Sequence, residues 1–119
     1  MISFQVRGET GDTVARGSSQ LDWTNTLQHV DADRFPFLGS LLPYADTMFN
    51  SRQTVRLRQE LADRSVRELL GQDTAAEIEA LCLQVERTSH LSLWFLGDRS
   101  GRAVPPAGRI RVPAVRPGG

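Results

Sequence analysis

Ile2, Phe4 and Val6 alternate with Ser3, Gln5 and Arg7. That period of two predicts a half-buried strand at the start of the chain. Gly8-Glu9-Thr10-Gly11-Asp12 is rich in turn formers, and residues 13–19 read as a second, weaker strand, so a hairpin is expected. A hairpin alone is marginal in water and needs a third strand or a helix against it. Trp23, Leu27 and Val30 recur at i, i+4 and i+7, which predicts a short helix capped by Asp22. An alternative carries the second strand on through Leu21 and Trp23. Residues 31–50 hold Phe35, Phe37, Leu38, Leu41, Leu42, Met48 and Phe49, but also Pro36, Gly39 and Pro43. They predict a long loop packed on the body, with one helical turn at 37–42.

A helix is expected from Asn50 or Ser51 to about Leu70. Val55, Ala62, Val66, Leu69 and Leu70 form one stripe, and Leu57 and Leu61 a second. Two stripes mean burial on two sides or a break near 63–65. Gly71 ends this helix with a left-handed cap, and Thr74-Ala75-Ala76-Glu77 reads as a capping box for the next. Ile78, Leu81, Cys82 and Val85 then mark its buried stripe, and the two helices should form an antiparallel hairpin. Residues 91–96 (Leu-Ser-Leu-Trp-Phe-Leu) are apolar on both sides and predict a central strand. The expected fold is α+β: a three-stranded, mostly antiparallel sheet, made of the N-terminal hairpin and the strand near 91–96, with a helical hairpin on one face.

The length of 119 residues suits a single domain, assigned to residues 1–98, followed by a tail at 99–119. The formal net charge is zero, but unevenly spread. Residues 1–98 carry 9 arginines and 14 acids, a balance of −5, while residues 99–119 carry 5 arginines and no acid. That tail is also rich in Pro and Gly, with a candidate strand at 109–112. Arginines spaced in this way could touch nucleic acid phosphates, but no aromatic accompanies them for base stacking, so nucleic acid is a lesser alternative. No apolar run is long enough to span a membrane, the N-terminus shows no signal core, and Cys82 is the one cysteine. A cytoplasmic protein is the expectation.

Motifs for chemistry are scarce. Asp31 and Asp33 have the spacing that opens a calcium loop, but Pro36 and Leu42 stand where glycine and a closing acid belong. His29 and His90 have no partners at metal-ligand spacing, so neither a metal nor another cofactor is expected. Ser40 lacks a nucleophile elbow, and Cys82 falls on an apolar stripe. The densest polar cluster is the stretch from Pro43 to Arg52. Tyr44, Asp46, Asn50 and Arg52 are the candidate binding residues there, at a helix N-terminus that favours anions. The competing reading makes Asp46 and Asn50 caps, with Tyr44 and Phe49 stapling the loop to the core.

Pro43-Tyr44-x-Asp46-Thr47-x-Phe49-Asn50 and Leu93-Trp94-Phe95-Leu96-Gly97-Asp98, together with Trp23, resemble small single-domain proteins of high-GC bacteria. The resemblance covers residues 4–98 and implies a compact domain with no known activity. The composition points away from an enzyme and toward a protein-interaction module, such as an immunity-type inhibitor or regulatory partner. The acidic body suits a basic partner, and exposed strand edges leave a homodimer open. The alternative is a small-molecule or anion pocket, with or without catalysis, at the 44–52 junction.

Overall fold

The computed structural model describes residues 1–97. The tail at 99–119 and its candidate strand at 109–112 lie outside the described residues. The architecture is α+β, with one antiparallel sheet under a layer of helices. Strands β1 (Ser3–Arg7), β2 (Thr13–Arg16), β3 (Thr47–Phe49) and β4 (Ser92–Leu96) lie in the order β2-β1-β4-β3. The sheet therefore has four strands where the hydrophobic pattern indicated three. The additional one, β3, sits inside the segment expected to be loop, and pairs Thr47 with Phe95, Met48 with Trp94 and Phe49 with Leu93.

β1 pairs with β4 from Ser3↔Leu96 to Arg7↔Ser92, which places Phe4 beside Phe95 and Val6 beside Leu93. These four side chains are buried and face the helices. Rings continue the contact across the sheet. Phe4 and Phe95 lie 5.9 Å apart, Phe95 and Phe49 5.8 Å, and Phe49 and Phe37 5.7 Å. This chain of aromatics ties the long 31–50 segment to the sheet by dispersion and area burial.

After β2 the chain stays beside β1. Gly17 N–H donates to Phe4 O, and Ile2 and Leu21 exchange two backbone bonds of 2.8 Å. The expected helix at 22–30 does not form. Asp22 O accepts from the amides of Asn25 and Thr26, giving a turn, and only Leu27–His29 is a 3-10 helix. The Leu21 bridge satisfies the extended alternative at that residue.

Helix α1 is four residues, Pro36–Gly39. It is followed by α2 (Ser51–Leu61), α3 (Arg64–Leu70) and α4 (Gln72–Arg87). The two stripes of the 50–70 pattern resolve as a break. Asp63 caps α3 by accepting from Ser65 N–H at 2.9 Å, so Leu57 and Leu61 are buried from one helix axis and Val66 and Leu70 from another. Gly71, at φ 92° and ψ 140°, joins α3 to α4 in a conformation that L side chains rarely adopt, though not in the left-handed helical region expected. α4 begins at Gln72, so Thr74 is inside it and forms no capping box; Glu77 has a different partner, described below. Arg58 makes a two-point ion pair with Glu86, at 2.9 and 2.8 Å, and Arg67 approaches Glu79 at 3.9 Å. Moving forward from α2 into α3 thus moves backward along α4, as in an antiparallel pair. α4 packs on β1 and β4, and α2 on β3. Among the described residues no helix is long and apolar enough to cross a membrane.

Candidate functional site

Residues 44–50 keep the period of two beyond the ends of β3. Tyr44, Asp46, Met48 and Asn50 are exposed, while Ala45 and Thr47 are half-buried and Phe49 is buried. The exposed set then divides by role. Asn50 is the N-cap of α2: its Oδ1 accepts from the amides of Arg52 and Gln53 at 3.0 Å each, and Gln53 Oε1 accepts in return from Asn50 N–H at 2.9 Å. This reciprocal box satisfies three backbone donors with two side chains. Asp46 Oδ1 accepts from Gly97 N–H at 3.2 Å, which fastens the entry to β3 to the exit from β4. Arg52 is exposed, and its guanidinium makes no ion pair among the described residues. Tyr44, 59% exposed, borders a cleft of about 190 Å³ with Met1, Asp22, Trp23 and Pro43. Asp46, Asn50 and Arg52 do not line that cleft.

What the stretch does supply is Met48, and through it the far face of the sheet. Helices cover one face; no described element covers the other. There, Arg16 of β2, Gln5 of β1, Trp94 of β4 and Met48 of β3 stand side by side in register. Trp94 is half-exposed and Met48 is 47% exposed. β4 is central in the sheet order, as its apolarity predicts, and its Leu93 and Phe95 are buried while Trp94 on the other face is half-exposed.

The row is held by its own bonds. With the Gln5 amide oriented by its neighbours, its oxygen accepts from Arg7 Nη2 at 2.7 Å and Nε at 2.8 Å, and its nitrogen donates to Thr13 Oγ1 at 3.2 Å. The Arg7 guanidinium lies 4.7 Å from the Trp94 ring centroid, and Trp94 Nε1 donates to Ser92 Oγ at 3.0 Å. Gln5 is only 7% exposed although it faces away from the helices, because Arg7 and Trp94 close over it. A guanidinium fixed by an amide and a ring loses little further freedom when it binds. Its Nη1–Nη2 end remains for a ligand.

The strands of this sheet carry charge opposite in sign to that of the body as a whole. The four strands contain Arg7 and Arg16 and no acid, and Arg16 has no ion pair among the described residues. Acids flank it in the loops: Glu9 lies 3.0 Å from His90, Asp12 accepts from Thr10 Oγ1 at 2.9 Å, and Asp46 accepts from Gly97 N–H, and each of these carboxylates keeps its charge. The sequence pattern placed Gln5 and Arg7 opposite the apolar side of β1. It gave no sign that Trp94 and Met48 would stand in line with them, because that depends on β3.

A larger cleft, about 520 Å³, lies between α1 and α2 and is lined by Arg34, Phe37, Arg56, Gln59, Glu60 and Asp63 among others. Its carboxylates are committed. Glu60 accepts from Phe37 and Leu38 N–H at 3.0 and 2.9 Å, and Asp63 holds Ser65 and Arg34. Among the described residues no group of three or more His, Cys, Asp or Glu side chains could hold a metal ion. Compared with known protein families, with curated proteins and with solved structures, the chain matches none of them.

Proposed function

We propose that this protein is a non-enzymatic, cytoplasmic protein-interaction module, an immunity-type inhibitor or regulatory partner, that docks its target on the open face of the sheet. The observation that carries the reading is the in-register row Arg16–Gln5–Trp94–Met48, left open by every described element. Trp, Tyr, Met and Arg are the residues most enriched at protein interfaces. The network that orders Arg7 and Trp94 in advance lowers the entropic cost of docking. The pocket reading of the 44–52 junction draws less support, since Asn50 spends its side chain as a cap and Asp46 holds Gly97.

Site-specific photo-crosslinking in cells expressing the full chain tests this. A photoreactive residue at Met48 should give one discrete protein adduct, and the same residue at Leu83, exposed on α4, should not. Trp94→Ala should abolish the Met48 adduct. Adducts that are the same from both positions, or none from Met48, would overturn the reading. An adduct of two copies of this chain would name the partner as a second protomer.

A further inference from the structure

Resting on that reading, we infer that the partner presents an acidic peptide segment, one carboxylate of which is received by the Nη1–Nη2 end of Arg7, with apolar side chains of the segment against Met48 and Trp94. Charge complementarity argues for it. Arg7 and Arg16 are the only charged residues of the four strands, and the nearby carboxylates of Glu9, Asp12 and Asp46 lie in the loops beyond the strand ends. An arginine whose Nε edge is taken by Gln5 offers two parallel N–H bonds at its other edge, which matches a carboxylate in geometry and sign. A basic partner, suggested by the acidic composition of the body, would meet Arg7 and Arg16 on the strands themselves.

The same face is poorly suited to two other occupants. Nucleic acid needs rings to stack on and many cations, whereas this face has one indole, already carrying the Arg7 guanidinium, and two arginines. The chain's own residues 99–119 carry five arginines and no acid, the same sign as Arg7 and Arg16.

The test uses the full ¹⁵N-labelled chain with an oligo-glutamate peptide as probe, at low salt and then at raised salt. Oligo-glutamate should shift the Trp94 indole and Arg7 Nε resonances, leave the Trp23 indole in place, and bind more weakly as salt rises. Arg7→Gln should weaken binding about tenfold or more. Arg7→Lys, which keeps the charge but not the fork, should lose most of the same affinity. Should Arg7→Gln fail to fold, Arg16→Gln provides the second reading, with an expected loss of a few-fold. Absence of shifts at Trp94, binding indifferent to both arginines, or oligothymidylate binding more tightly at equal salt would each overturn the inference. The two readings fail separately: a Met48 crosslink without oligo-glutamate binding retains the interface and removes the acidic partner, whereas loss of the Met48 crosslink removes both.

Discussion

The Glu77 carboxylate on α4 accepts hydrogen bonds from the backbone amides of Ser18 and Ser19, at 2.7 and 2.9 Å, and from the Ser18 hydroxyl at 2.6 Å. A helix carboxylate thereby satisfies two consecutive donors of the segment leaving β2. Burial pushes the carboxyl upward, but the Ser18 and Ser19 donors outweigh it and bring the pKa to about 2 from the ordinary 4.5. A depressed folded-state pKa means the stabilisation is fully present above the unfolded-state value and is lost as pH falls through about 2. Glu77→Gln should therefore cost about 1.5–3 kcal/mol at pH 7. Urea midpoints of the two proteins should converge between pH 4.5 and pH 2. A gap that stays constant across that window would show that the charge on Glu77 is not what stabilises the contact.

Glu60 repeats the arrangement at the other end of the helical layer, where it accepts from the Phe37 and Leu38 amides. These are orphan donors of the first turn of α1, a helix too short to hold itself. Glu60→Ala should cost about 1–3 kcal/mol. Amide exchange should quicken at Phe37 and Leu38 while Phe4 and Val6 keep their protection. Uniform acceleration across the sheet would mean that α1 is not locally fastened by this residue.

These two glutamates show why parts of the fold were legible in sequence and others were not. β1, the stripe of α4 and the cap of α2 rest on periods and spacings within a few residues, and each was readable. Glu77 sits three residues after Thr74 and fits a capping box locally, yet its partners are 58 and 59 residues away. β3 is three residues long, follows Pro43 within four positions and runs directly into the Asn50 cap, so its alternation had no length in which to stand out. With β3 hidden, the neighbour relation of Met48 to Trp94 is hidden too, so the sequence directs attention to Tyr44, Asp46, Asn50 and Arg52 and gives no sign of the row on the sheet face. Apolarity on both sides of β4 predicts its central place in the sheet, but a residue pattern does not say whether another element of the chain covers each face.

Gly97 marks the closest backbone approach at the β3–β4 end of the sheet. A Cβ there would lie 2.4 Å from Ala45 N and 2.6 Å from the Tyr44 carbonyl carbon. Gly97→Ala must push the 44–46 segment away and lengthen the Asp46 bond, at a cost of about 1–3 kcal/mol. Gly8→Ala is the control, since its nearest neighbour would be Val14 Cγ2 at 3.9 Å, and it should stay within about 0.5 kcal/mol. Thermal melts of the two variants should separate clearly. Equal melting temperatures would mean that the 44–46 segment yields without cost.

Cys82 lies on the buried stripe of α4 with no exposed surface. Burial pushes its thiol pKa up to about 12, the nearby Glu86 carboxylate adds to the rise, and Arg58 opposes it. The thiolate is the reactive species, so the native protein should be inert to a disulfide reagent at pH 8 and react fully once unfolded in urea. Labelling of the native protein at a rate independent of urea would place Cys82 within reach of solvent and contradict its burial on the inner stripe of α4. Labelling that rises with urea in step with the loss of helical signal would confirm that the thiol is exposed only by global unfolding.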